Sequence, residues 1–167
     1  IIQREVEFIR KKHTNLTAEQ AAKRIFVGGF SQGCCVALES VLNYEHAIGG
    51  FFGHVGHPPV VSVGDQQSLE HLKGRMDFPM KIFLGLDDEI MQIEWNIRLW
   101  ANFCRVLQPK KMSIKFFPFL FHSGGFCMND DQQNQELTKF IKSCRGKIDF
   151  PDLNKLSEEE RKDVRGW

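Results

Sequence analysis

The residues best suited to covalent chemistry lie in Gly29-Phe30-Ser31-Gln32-Gly33, a G-x-S-x-G pattern set between an apolar run and a helical one. A serine hydroxyl is a weak nucleophile. It needs a base to take its proton and a carboxylate to hold that base in the right tautomer. The sequence supplies both downstream: Asp87 and Asp88 directly follow the apolar run Met80 to Leu86, and His122 follows the run Met112 to Phe117. Side chains just past the C-terminal ends of parallel strands gather at one edge of a sheet, where open α/β sheets bind ligands. The chemistry expected is nucleophilic attack by Ser31, with His122 as general base and Asp87 or Asp88 as the orienting acid. A bare G-x-S-x-G also arises by chance as a glycine-rich turn, so its setting between a strand and a helix carries the weight.

That setting follows from the flanking residues. Arg24 to Gly28 (RIFVG) is apolar and β-branched in its middle and runs into the pair Gly28-Gly29, which reads as a strand and its stop. From Gln32 to Leu42 the period becomes helical, with Val36, Leu38 and Val41 available to face a sheet. A turn this tight requires Gly29 and Gly33, two residues either side of Ser31, to lack side chains, because a Cβ there would strike the neighbouring strand or helix. The start of the helix brings backbone N–H groups and the positive end of its dipole beside Ser31. The Gln32 N–H is the expected oxyanion donor.

Beyond the elbow, the pattern alternates. Ile2, Val6 and Ile9 mark a first helix, and Thr17 with Gln20 has capping-box spacing. Ala47 to Phe52 reads as a strand, followed by a long irregular stretch through Phe78 with Pro58, Pro59, Gly64 and Gly74. Met80 to Leu86 is a buried strand and Ile90 to Leu107 a long helix ended by Pro109. Met112 to Phe117 is a further strand, and Leu137, Phe140, Ile141 and Cys144 mark a final helix. Such alternation gives an α/β fold, a mostly parallel sheet with helices on both faces. Lys147 to Trp167 is polar and charged and reads as a C-terminal extension, with Ser157 placed to cap a short helix.

The bulk properties exclude several classes. Among 167 residues, 22 Lys and Arg stand against 21 Asp and Glu, a net charge of +1 that offers no field for nucleic acid or an anionic membrane. No run approaches the ~18 apolar residues of a membrane span, so stable membrane insertion is not expected. The 5 Cys are odd in number, and two of them, Cys34 and Cys35, are adjacent; this fits a reducing, cytoplasmic setting better than a disulfide framework. The chain opens on Ile1 rather than Met, inside a helical pattern without a cap, which implies upstream sequence. Neither spacing nor patterning specifies an oligomeric state.

Ile25 to Gly33, IFVGGFSQG, resembles the elbow of the phospholipase/carboxylesterase family of α/β hydrolases, which contains the acyl-protein thioesterases. Cys34 stands where that family has a further glycine. The family's acid lies in a GxxD stretch; on Gly85-Leu86-Asp87-Asp88 the resemblance favours Asp88, with Asp87 as the reserve, although the family commonly has Asp at the place of Leu86 and Pro at that of Glu89. His122-Ser123 matches the family's histidine followed by a small polar residue. The resemblance implies an α/β-hydrolase domain over residues 1–146 that lacks the family's N-terminal strands and its HG-containing oxyanion loop. It implies a serine esterase or thioesterase that acts on S-acylated proteins, lysophospholipids or small esters without metal or cofactor. The alternative is a non-catalytic relative that keeps the scaffold as an interaction module.

Smaller signals have bland readings beside sharper ones. His54 and His57 form an HxxH pair, but no third ligand is placed by spacing and no helix holds them, so a loop shaping the substrate groove is expected rather than a metal site. Phe116, Phe117, Phe119, Phe121 and Phe126 around His122 read as core more readily than as an acyl tunnel. His13, His46 and His71 read as surface residues, and Cys35 as packing.

Overall fold

The computed structural model describes residues 1–59, 72–122 and 131–145. Helices α1 (Ile2–Lys12) and α2 (Ala18–Ala22) lead into β1 (Phe26–Phe30) and α3 (Gln32–Leu42). Then come β2 (Gly50–His54), β3 (Met80–Gly85), α4 (Ile93–Leu107), β4 (Met112–Phe117) and α5 (Asp131–Arg145). The four strands pair in parallel in the order β1-β2-β3-β4, the α/β arrangement that the alternation of patterns implies. The α1–α2 turn carries the expected capping box, with the Gln20 N–H on Thr17 Oγ1 at 3.2 Å and the Thr17 N–H on Gln20 Oε1 at 2.9 Å.

Three elements differ from the sequence reading by two residues or more. β1 is Phe26–Phe30 rather than 24–28, because the glycine pair lies inside the ladder: Gly28 pairs with Phe52 and Gly29 with Gly53. The Phe52 ring fills the space a Cβ on Gly28 would need, approaching to 2.2 Å. β2 likewise starts at Gly50 and reaches His54, so His54 belongs to a strand and not to a loop. α4 begins at Ile93 rather than at residue 90, since the Ile90 and Met91 amides are bound by the Asp88 side chain instead of opening a helix. Its end is the expected one: Gln108, in the left-handed region at φ 50°, terminates it before Pro109.

The period of two along the strands sorts the core by face. Phe51, Met80, Ile82 and Leu84 pack with Leu38, Val41 and Leu42 of α3 and with Trp100, Phe103 and Leu107 of α4. On the opposite face Phe83 and Phe117 meet Leu120 and, from α5, Leu137. Glu136 ties α5 to the sheet through Lys115 at 3.1 Å and Lys81 at 3.7 Å, and its hydrogen bond with Lys115 holds its carboxyl below the usual range. Helices therefore cover both faces. The smaller cluster of Val6, Ala21 and Ala22 seats α1 on α2. The expected extension from 147 to 167 lies outside the described residues.

Phe103 is 1% exposed and meets Trp100 edge-on at 5.5 Å between ring centroids. Phe103→Ala is expected to cost about 3–5 kcal/mol, read as a lower urea midpoint with an unchanged slope.

Candidate active site

Ser31 sits between the end of β1 and the first residue of α3 at φ 52° and ψ −128°. A non-glycine residue held there costs on the order of 1–3 kcal/mol and persists only where its surroundings over-determine it. They do so here. The Ser31 N–H continues the ladder to the His54 carbonyl at 3.0 Å, and the Ser31 carbonyl accepts from the Cys34 N–H at 3.0 Å to start the helix. A Cβ on Gly29 would lie 2.2 Å from the Gly33 carbonyl and 2.5 Å from Cys34 Cα, so strand and helix cross without room for a methyl group. Gly33 is different: a Cβ there meets no described atom within 4 Å, so among the described residues the steric requirement expected on both sides of Ser31 is seen at Gly29 and not at Gly33. The Gln32 amide occupies the first position of α3, beside the hydroxyl.

The turn aims Ser31 Oγ at His122 Nε2, 2.7 Å away, and His122 Nδ1 faces Asp88 Oδ2 at 3.0 Å. His122 is 9% exposed and Asp88 7%, so the chain of contacts is sheltered. Asp88 is fixed in turn by its other oxygen, which accepts from the Ile90 and Met91 amides at 3.0 and 2.7 Å. Asp87 points elsewhere: its Oδ2 accepts from the Phe119 N–H at 2.7 Å. Of the two acids left open by the sequence, the one within reach of the imidazole is Asp88. Ser123 and Phe126 lie outside the described residues.

Two readings at this end of the sheet need correction, the loop placement of His54 and the core reading of most phenylalanines near His122. His54 and His57 do not converge. His54 is buried, with Nε2 2.5 Å from Gln133 Oε1 of α5, whereas His57 bonds the Pro58 carbonyl and stands edge-on to Trp95. Among the described residues no group of three or more His, Cys, Asp or Glu side chains is arranged to hold a metal ion. The His54 ring stacks on Phe30, whose other neighbour is the His122 ring at 5.4 Å, so a residue expected to shape a groove instead backs the site from the adjacent strand. Of the phenylalanines around His122, Phe117 is core, while Phe116, Phe119 and Phe121 are exposed. His13 is exposed, His46 stands 3.6 Å from the Glu45 carboxylate, and His71 lies outside the described residues.

Sequence reasoning missed two contacts. Glu89 Oε2 accepts the His122 main-chain N–H at 2.8 Å, and Trp100 Nε1 donates to the Gly56 carbonyl at 3.0 Å, which steadies the segment under the elbow. The first had a signal in the run Asp87-Asp88-Glu89, since consecutive carboxylates after a strand are ready acceptors for loop amides. Cys34, 0% exposed, lies directly beneath Ser31. A Cβ on Gly56 would lie 2.4 Å from Cys34 Cβ, and one on Gly53 would lie 2.6 Å from its Sγ, so two neighbouring glycines make room for the thiol.

A family model described as Phospholipase/Carboxylesterase matches residues 2–145. Acyl-protein thioesterase 1 of Yarrowia lipolytica is 30% identical over 122 residues, covering 72% of this chain and 51% of that protein. Acyl-protein thioesterase 1 of Eremothecium gossypii is 28% identical over 123 residues, 70% of this chain and 50% of the relative. The chain thus spans about half the length of these two curated relatives. Among solved structures, acyl-protein thioesterase 2 of Zea mays superposes with a TM-score of 0.57 at 15% identity, over 87% of this chain and 65% of that one. A point variant of Arabidopsis thaliana SOBER1 gives 0.59 at 19%, over 86% and 64%. At these identities the structural likeness is one of fold.

Burial pushes the Cys34 thiol up to about 12, far from reactive thiolate. Iodoacetamide at mildly alkaline pH is expected to leave Cys34 unmodified in the folded chain and to alkylate it in urea, as read by peptide mass mapping; labelling of the folded chain would contradict the packing under the elbow.

Proposed function

We propose, given that the chain belongs to the phospholipase/carboxylesterase family, that it is a serine hydrolase of acyl thioesters or carboxylic esters working through an acyl-enzyme on Ser31. The observation that carries this reading is the continuous line from Ser31 Oγ through His122 to Asp88, at 2.7 and 3.0 Å. With Nδ1–H donating to Asp88, Nε2 is left as the acceptor that a serine hydroxyl requires. In the first step Oγ bonds to the substrate carbonyl carbon while Nε2 takes its proton, and the carbonyl oxygen becomes an oxyanion facing the Gln32 N–H at the positive end of α3. The intermediate collapses, the bond to sulfur or oxygen breaks, and His122 returns its proton to the leaving group. Water then attacks the acyl-serine, gives its proton to Nε2, and the free acid departs as that proton returns to Ser31.

The substrate class rests on two supports. The relatives named above are acyl-protein thioesterases, which favours S-acylated proteins over lysophospholipids and small esters. The half-exposed Phe30 ring, 5.4 Å from the His122 ring, gives the site an apolar side that suits a hydrocarbon acyl group better than a polar one. Four free cysteines among the described residues fit a reducing cytoplasm, and no helix among those residues is long and apolar enough to cross a membrane.

Purified chain is expected to react with a fluorophosphonate probe at Ser31, with Ser31→Ala and His122→Ala silent and Asp88→Asn slowed by about 10⁴-fold, the cost of holding the wrong tautomer. Asp87→Asn is expected to fall far less. A folded chain that never labels would sink the hydrolase reading and point to an interaction module built on the same scaffold.

A further inference from the structure

Residues 86–89 reach across to the segment that carries His122 one after another. The Leu86 N–H donates to the Phe117 carbonyl at 3.0 Å, Asp87 Oδ2 accepts from the Phe119 N–H, Asp88 Oδ2 meets the His122 ring, and Glu89 Oε2 accepts the His122 main-chain N–H at 2.8 Å. Gly85 permits the approach, since a Cβ there would lie 2.1 Å from the Leu120 carbonyl. The segment past β4 has left the ladder, and Phe119 within it sits at φ 60°, so its amides need acceptors from elsewhere. Asp87 and Glu89 provide them. The bond from Asp88 to the ring fixes the orientation of the imidazole but not the position of the Cα that carries it. The bond from Glu89 fixes that Cα, and as a charge-assisted hydrogen bond it is of the stronger kind.

We infer that Glu89 is a positioning residue of the site, holding the main chain of His122 so that its ring stays between Asp88 and Ser31; as a role in catalysis this rests on the hydrolase reading. In this role Glu89 acts through its bond to the His122 main-chain N–H. Its effect passes through the backbone of His122. Small displacements of a base relative to its nucleophile carry large rate penalties.

The test pairs a measurement that needs no activity with one that does, on the full chain and its Glu89→Ala and Glu89→Gln variants. Amide hydrogen exchange, read by NMR, is expected to speed up at His122 by about tenfold or more in Glu89→Ala while Ile82 and Leu84 in β3 keep their protection. The rate of fluorophosphonate labelling is expected to fall about tenfold in the same variant. Glu89→Gln, which keeps an oxygen acceptor, is expected to restore both to within about threefold. Unchanged exchange at His122 in Glu89→Ala overturns the inference, as does faster exchange throughout β3, which would make the contact one of general stability. Faster exchange at His122 with an undiminished labelling rate also overturns it. If the folded wild type never labels, the hydrolase reading fails by itself and the exchange result decides the clamp alone.

Discussion

Adjacent parallel strands lie about 4.8 Å apart, so the ends of β1 and β4, three spacings across the sheet, are separated by roughly 14 Å, yet Ser31 after β1 and His122 after β4 meet at 2.7 Å. The histidine segment must therefore fold back over the ends of β3 and β2. Much of the local structure at this edge answers to that crossing. Gly85 gives up its side chain where Leu120 passes over it, Phe119 turns through the left-handed region, and the loop after β3 supplies carboxylates to a backbone that has left its ladder. From the other side β2 contributes His54, whose ring and carbonyl support Phe30 and Ser31 respectively. The strained serine is at one end of this bridge and is held by strand pairing before it and helix packing after it.

The fold class and the residues that meet were legible because they follow from local rules. Period two against period 3.6 distinguished strands from helices, and chain order placed Ser31, the pair Asp87-Asp88 and His122 past the ends of three different strands, with the family resemblance favouring Asp88. Boundaries were legible where a side chain punctuates, as at Pro109 and Thr17, and illegible where a glycine does not. Gly28-Gly29 reads as a stop in isolation but lies inside β1, because Phe52 on the neighbouring strand occupies the space beside it. The helix start at residue 90 failed for a related reason, since whether the Ile90 amide opens a helix or binds Asp88 is decided by tertiary placement of that carboxylate. His54 and the phenylalanines around His122 show the same limit: the composition of a segment does not say which of its rings turns inward.

In this chain a hydroxyl, an imidazole and a carboxylate come together from loops after β1, β4 and β3. The described core is continuous beneath them, from Leu38 of α3 through Ile82 of β3 to Trp100 of α4. Trp100 links the two levels, one end packed in that core and its indole nitrogen bonded to the Gly56 carbonyl under the elbow.

The space under Ser31 also makes some sequence changes dependent on others. A methyl group at position 53 would lie 2.6 Å from Cys34 Sγ and otherwise only 3.1 Å from the flexible tip of Ile82, so an alanine there becomes tolerable once position 34 holds a glycine. Position 56 has no such route, because the Ser31 carbonyl blocks it at 2.4 Å whatever stands at 34. Mutational paths through this elbow are thus ordered: cysteine at 34 and glycine at 53 form an epistatic pair in which the first must change before the second is free, while glycine at 56 is fixed by the backbone itself.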